Sequence, residues 1–486
     1  MPDASLRRSA EAWLAERQDA HVARIRDFVR EPSVSPERRG LEGAAAFVLD
    51  ALRGCGCDEA AILDLKDGFP GVWGKLDVGA AETLLIYGHY DVRPAGPERW
   101  TRDPFGAEIG TAGDFPQVVF GRGAATKGPL LAFLNAVQAL HGLRRLPVNL
   151  VFLIEGAEIL GSPNFPALAA AHQADLDRCT AIYGPRATQD AQGRVLVTLG
   201  YKGLALFELV ARGTAWGRGP QGAALHSASQ AAVDSPAWRL IEALACLGGT
   251  AGPRVPALQQ ALAARKPIAA WEEPLLGAIA ARMAKAGPDA VLPGLSPQAK
   301  VARFRDGAEG RALLEDYLYG PSFNISGLRA GYTGPGSRTF LLPEEATATI
   351  DMRVISEVPG TQLLQMIRAH LDAQGFADIA IETACAYDWN QTAIDAGLVR
   401  ATLETLAAHG CEATIWPMQP FGGPWAHYAR TLGIPTLFGA APGHGARATA
   451  SDEYFVLQGT EAVAGLLGLE LYFVDLLQAV AETGAA

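Results

Sequence analysis

No stretch of this chain approaches the ~20 uninterrupted apolar residues that a membrane helix needs. Even its most apolar segment near the C-terminus, Leu466 to Val480, carries Glu470 and Asp475. Basic charge is also short: 41 Lys and Arg stand against 52 Asp and Glu, giving a net charge of −11 and a pI near 5.4. A phosphate backbone needs a basic face, so nucleic acid is not an expected partner. Residues Met1 to Gln18 are charged and hold no signal-type apolar core, so a cytoplasmic location is the expectation. Six cysteines in 486 residues do not make a disulfide framework. Cys55 and Cys57 form a CxC with no second Cys or His pair nearby in sequence, and read as a loop thiol and a buried one. Cys179, Cys246, Cys385 and Cys411 sit among apolar residues and read as small core residues.

What is present is an ordinary globular composition, 49% hydrophobic and 19% charged, in a chain too long for one compact core. Ala10 to Arg30 has helical periodicity, with Trp13, Leu14, Val22, Ile25 and Phe28 on one stripe. Leu41 to Leu52 is a second helix, stopped by Gly54 and Gly56. Thr83–Tyr87 and Asn149–Ile154 are short apolar runs of the kind that form buried parallel strands. Between them Lys127 to Leu140 reads as a helix with Pro129 in its first turn, where proline is tolerated. Alternating strands and helices predict an α/β domain. After Gly200 the pattern changes. Leu204–Val210, a helix over Ala237 to Leu247, and the alternating Thr347–Val354 predict an inserted α+β layer. Arg212 to Ala224 reads as a loop or hinge. From about Trp389 the α/β character returns, with a helix over Ile394 to His409, strands at Thr414–Trp416 and Pro435–Phe438, and a final helix from Gly459. The expected organisation is therefore residues 1–203 and 388–486 forming one domain, interrupted by a second at 204–387.

The chemistry-bearing segments occur in a fixed order. They are Tyr87-Gly88-His89-Tyr90-Asp91, Gly121-Arg122-Gly123-Ala124-Ala125-Thr126-Lys127-Gly128, Glu155-Gly156-Ala157-Glu158-Ile159, Phe323-Asn324-Ile325-Ser326-Gly327 and Asp452-Glu453-Tyr454. GHxD and GRG alone are weak signals. Together and in order, from about residue 10 to 475, the set resembles the zinc exopeptidase family of carnosinase-type dipeptidases, acetylornithine deacetylase and succinyl-diaminopimelate desuccinylase. That resemblance implies a mostly parallel-sheet metallopeptidase-like domain with an inserted α+β lid that dimerises. It also implies hinges near Gly200 to Gly203 and Tyr387 to Trp389, and two zinc ions held by five residues.

Of those five ligand positions only His89 keeps a ligand-type residue. The bridging Asp before Lys-Gly is missing from Ala125-Thr126-Lys127, where the loop is one residue shorter. The family's Glu-Glu pair is Glu158-Ile159, so the general-base position survives and the ligand is Ile. Pro185 and Thr449 stand at the remaining two places. Zinc needs about four N, O or S donors, so no metal is expected; zinc enters only if a site is rebuilt, for instance from His89, Glu158 and His444. Asp91 is the expected carboxylate behind the His89 ring. The substrate side is better kept: the resemblance implies a catalytic His226 that reaches a partner subunit, a substrate-binding Asn324, a carboxylate-binding Arg353, and a glycine loop with Gly423 whose N–H groups face the substrate. Lys127, Lys202 and Arg186 are candidates for the missing positive charge, and Lys127 for substrate binding.

Three readings follow. The first is an enzyme acting without metal on an amino-acid-like or dipeptide-like molecule, with Glu158, His226 and Asp91 as catalytic residues, by acyl transfer, cyclisation or another base-catalysed step in a biosynthetic pathway. Loss of zinc and the presence of Ile159 would make the Glu158 surroundings apolar. The second is a binding or regulatory protein without turnover. The third is a zinc-dependent dipeptidase or deacylase. A homodimer and a small-molecule partner are expected in each.

Overall fold

The computed structural model describes residues 4–63, 65, 68–96, 99–264, 266–295, 301–336, 339–448 and 450–486. The chain divides into two compact units. Unit 1 comprises Met1–Gly200, Gln391–Pro417 and Tyr428–Ala486; unit 2 comprises Tyr201–Asn390 and Met418–His427. The short segment Met418–His427, which the sequence reading kept with the flanking α/β residues, groups with unit 2.

Unit 1 is built on a six-stranded sheet in the order Glu59–Leu63, Gly71–Leu76, Asn149–Glu155, Thr83–His89, Ala181–Gly184, Thr436–Phe438. The last four strands run parallel and the first two antiparallel. Every residue of Thr83–His89 and of Asn149–Glu155 is buried, which is why these strands read as unbroken apolar runs. Helix Ala124–Gly142 is buried along most of its length. It starts three residues before the expected position, after Gly123 at φ +86°, so Pro129 lies inside the helix and deprives the Ala125 carbonyl of its helical donor.

The first expected helix is two, Ala4–Glu16 and Gln18–Arg30. The break is at Arg17, whose N–H turns back to the Leu14 carbonyl and whose guanidinium binds the Trp13 carbonyl. The final helix is Leu466–Thr483, not from Gly459. Gly459 and Gly465 approach so closely that a Cβ on either would strike backbone, and Thr460 and Val463 close a tight loop between them. The helix expected from Ile394 begins at Gly397, where the N–H groups of Gly397 and Leu398 donate to the carbonyls of Ala486 and Ala485. The two acids of the apolar C-terminal helix are both buried and partnered. Glu470 receives Gln18, Asn135 and the His21 ring, and Asp475 receives His409 and Arg7. Among the described residues no helix is long and apolar enough to cross a membrane.

Unit 2 carries a four-stranded antiparallel sheet in the order Ser322–Ala330, Glu345–Val354, Gly203–Arg212, Ala380–Tyr387. Period-two alternation sorts its faces. Phe207, Leu209, Ala348, Ile350 and Met352 pack beneath helices Pro236–Leu247 and Gly360–Ala373. Asp351 and Arg353 point to the other face, where Leu204, Leu206, Cys385 and Tyr387 form a smaller apolar cluster. The stretch expected to be a loop opens with the end of strand Gly203–Arg212 and a short helix, Gly213–Trp216. Phe207 is fully buried at the centre of the helix-covered face. Phe207→Ala should therefore lower stability by about 3–5 kcal/mol, read as a drop in the urea midpoint.

Candidate functional site

Parallel strands deliver their carboxyl ends to one edge, and that edge is where unit 1 gathers polar side chains. His89 ends its strand in register with Glu155, the end of the next. Gly184-Pro185-Arg186 and Phe438 follow at the ends of the two strands beyond. The Arg186 guanidinium lies 5.8 Å above the Phe438 ring.

Asp91 organises this edge. Its Oδ2 accepts the Ser35 hydroxyl at 2.6 Å and the Ile159 N–H at 3.0 Å, and its Oδ1 accepts the Glu158 N–H at 3.1 Å. The same Oδ1 lies 3.3 Å from His89 Nδ1, and Glu158 Oε2 approaches that nitrogen to 3.8 Å. Asp91, His89 and Glu158 are thus brought together as the sequence reading expects. Burial works to lower the His89 pKa, but the carboxylates of Glu158 and Asp91 outweigh it and hold the ring above its ordinary value, with Arg186 opposing them. His89 Nε2 is buried and has no hydrogen-bond partner among the described residues. Glu158 is not in an apolar enclosure: its side chain is 28% exposed on the one-turn helix Glu158–Leu160.

The buried acid of the segment is Glu155, which sequence reasoning passed over. It accepts Tyr87 Oη at 2.6 Å and Ser162 Oγ at 2.7 Å on one oxygen. Burial pushes its carboxyl up to about 8, although both hydrogen bonds pull the other way. Ser162 in turn closes the loop that carries Glu158, its N–H donating to the Ala157 carbonyl. A carboxyl ending an otherwise apolar strand is the signal that would have found it.

Several expected residues serve other ends. Lys127 is fully buried and its ammonium donates to the carbonyls of Phe28 and Glu31, at 2.9 and 2.7 Å, capping helix Gln18–Arg30. Burial lowers its pKa to about 7. Lys202 Nζ likewise binds the Tyr317 and Gly320 carbonyls. The placing of Lys127 and Lys202 as charge donors to a substrate is therefore corrected: backbone carbonyls hold both. His444 does not join His89 and Glu158. Its Nδ1 faces the Gln189 carbonyl at 2.8 Å and its Nε2 the Tyr454 hydroxyl at 3.4 Å. Arg122 is buried beside Glu453, whose other oxygen accepts the Ala125 N–H, tying the GRG loop to the C-terminal part of the unit. Thr449 lies outside the described residues. Among those described, no group of three or more His, Cys, Asp or Glu is arranged to hold a metal ion. Cys55 and Cys57 are free thiols, that of Cys57 pushed up to about 12 by burial and the neighbouring Asp58.

In unit 2, Asn324 pairs with Asp351 across the sheet and donates to its carboxylate at 2.8 Å. Arg353 stands two residues on along the same face, 3.8 Å from Asp351 and 3.4 Å from the Gly422 carbonyl. That loop must be glycine: a Cβ on Gly422 would meet the Lys202 carbonyl, and one on Gly423 the Trp425 ring. Asn324, Arg353 and the Gly423 loop thus share one face. His226 is exposed on a separate two-stranded ribbon, its Nδ1 accepting the Ala228 N–H and its ring stacked on Phe340.

A partly parallel α/β unit interrupted by an antiparallel α+β unit, with polar residues at the parallel strand ends, is the architecture of a metallopeptidase-type hydrolase. The chain belongs to peptidase family M20/M25/M40, whose pattern matches residues 85–468. It is 23% identical to the Cys-Gly metallodipeptidase DUG1 of Candida albicans over 74% of each chain. It is 26% identical to the human Beta-Ala-His dipeptidase over 73% of this chain and 69% of that one. Among solved structures, the M20 family metallo-carboxypeptidase Sso-CP2 of Sulfolobus solfataricus superposes with a TM-score of 0.76 at 25% identity, covering 94% of this chain and 99% of that one.

The Glu155 pKa has a consequence for stability. Raised from 4.5 to about 8, it favours the folded state fully below 4.5, and that contribution is lost as pH rises to 8. Glu155→Gln keeps an acceptor oxygen and removes the titration. Thermal midpoints from pH 5 to 8 should show wild type losing ground steadily to the variant.

Proposed function

We propose that this chain is an enzyme acting at the amide or acyl group of a small amino-acid- or dipeptide-like molecule, with Glu158 as general base and without a dinuclear zinc centre. The observation that carries this reading is the donor set around His89. Its Nε2 is one nitrogen without a partner, but the neighbouring Asp91 oxygens are committed to three donors. Ile159 and Pro185 bring hydrocarbon to two of the ligand places, and the bridging Asp is missing from Ala125-Thr126-Lys127. These residues do not fit two zinc ions, and in this reading His89 is not a metal ligand.

A positioned base contributes roughly 10²–10⁴-fold, well short of the 10⁶-fold and more that enzymes commonly supply over the uncatalysed reaction. Water attack on an unactivated amide is therefore a poor match for Glu158 alone. Transfer of an activated acyl group to an amine, or cyclisation, asks less, and such steps belong to biosynthesis. In unit 2, Arg353 and the Gly422-Gly423 loop are assigned to a substrate carboxylate and Asn324 to its polar neighbour, with His226 contributed to the partner subunit of a homodimer. The dimer surface is assigned to the open edge strand Ser322–Ala330, whose unpaired backbone offers a template for a second copy, with Ile325, Leu328 and Phe340 exposed. A second reading, zinc-dependent dipeptide hydrolysis, is favoured by the metallodipeptidase among the relatives.

Metal content by plasma mass spectrometry, on protein expressed with added zinc, separates the two: well under one zinc per chain is expected, and one or two per chain would return the chain to amide hydrolysis. Glu158→Gln should cost at least about 100-fold in turnover of amino-acid esters with an amine acceptor, leaving binding intact; an unchanged rate would remove Glu158 as base. Sedimentation velocity should report a dimer that Leu328→Arg with Phe340→Arg converts to monomer.

A further inference from the structure

We propose that Arg186 binds an anionic group of the substrate at the strand ends of unit 1, so that the molecule acted on carries a carboxylate or a phosphate close to its acyl or amide carbonyl. This deepens the proposed function and rests on its reading that small-molecule chemistry takes place at this edge.

The first observation is position. Strand Ala181–Gly184 lies beside Thr83–His89, with Tyr183 opposite Ile86. Continued three residues, that register sets Arg186 level with His89. Neighbouring strands are about 4.8 Å apart, so the two residues stand within the length of a small ligand. The charge of Arg186 reaches the His89 ring, where it opposes the two carboxylates.

The second observation is rigidity. The Gly439 N–H donates to the Gly184 carbonyl at 2.8 Å, the Thr188 N–H to the Ala441 carbonyl at 3.0 Å, and the Ala440 N–H to the Thr188 hydroxyl at 3.1 Å. The backbone of Arg186 is thus clamped on both sides. Its side chain is half-buried, with the guanidinium over the Phe438 ring at 5.8 Å. A ring face steadies a guanidinium without consuming its N–H groups.

The third observation is that those N–H groups meet no carboxylate or carbonyl among the described residues. The acids of the edge are engaged elsewhere: Asp91 with Ser35 and two backbone N–H groups, Glu158 beside the His89 ring. Asp91 and Glu158 would repel a negatively charged ligand. Lys127 and Lys202 do not offset them, since backbone carbonyls hold both. Arg186 offers a fixed positive fork, whose geometry matches two oxygens of a carboxylate or a phosphate.

The test is calorimetric titration of chelator-washed full chain, with zinc measured on the same sample. The probes are malonamate and phosphonoacetamide, which carry a carboxylate or a phosphonate one carbon from an amide, and propionamide, their uncharged counterpart. At least one anionic probe should bind about 10-fold or more tighter than propionamide, and the tighter of the two names the group recognised. Arg186→Gln should remove that preference, weakening the anionic probe by about 10–100-fold; Arg186→Lys, which keeps the charge but not the fork, should retain part of it. Thermal melts confirm that both variants fold. On the wild-type chain, modification of Arg186 by phenylglyoxal, read by peptide mass spectrometry, should slow when the probe is bound. No preference for either anionic probe, or an Arg186→Gln chain that binds them as wild type does, would overturn the inference. A preference lost in Arg353→Gln and kept in Arg186→Gln would place the anion in unit 2 and overturn it too. An unchanged turnover in Glu158→Gln, or one or two zinc ions per chain, would instead overturn the proposed function, while the Arg186 variants still decide the anion site.

Discussion

The polar edge of unit 1 depends on the parallel arrangement of four strands. Because Asn149–Glu155, Thr83–His89, Ala181–Gly184 and Thr436–Phe438 run the same way, residues far apart in sequence finish side by side. The buried interiors of those strands admit only apolar side chains, so polar function is confined to their ends. Asp91 then acts two residues beyond its strand, on the ring of His89 and on the backbone that presents Glu158. Ser162 and Glu155 brace the same loop from behind. The Glu158 loop is held from two directions by groups that are themselves buried.

Charge inside this protein is spent on architecture. Arg122 meets Glu453 under the GRG loop, Glu470 gathers Gln18 and His21 from helix Gln18–Arg30 and Asn135 from helix Ala124–Gly142, and Glu272 in unit 2 receives Lys266 and Tyr319. Each pairing offsets a desolvation cost of several kcal/mol. In an acidic chain with most buried cations so engaged, Arg186 is the permanent cation that His89 senses at the strand ends of unit 1.

How much of this was legible in the sequence follows from what each residue type is asked to do. Strands such as Asn149–Glu155 announce themselves because both faces are buried. The Asp91, His89 and Glu158 cluster was legible because the motifs around them keep their order. Helix boundaries were not, where backbone contacts decide them: the break at Arg17 comes from local carbonyl binding, and the start at Gly397 is set by the carbonyls of Ala485 and Ala486. Lys127 misled because a lysine beside a glycine loop looks like an anion donor, whereas its partner is a helix end almost a hundred residues earlier in the chain. Glu155 was overlooked because it resembles the last residue of an apolar strand rather than a member of the polar edge.

The burial of Lys127 and Lys202 also shapes what protein chemistry can see. The chain holds seven lysines, and these two have almost no surface and their ammonium groups fixed to carbonyls. Amine-directed labels and cross-linkers will therefore map this molecule sparsely, through residues such as Lys75 and Lys285. Modification of Lys127 or Lys202 would itself report that the surrounding structure had opened, making the two side chains built-in sensors of local unfolding in unit 1 and unit 2 respectively.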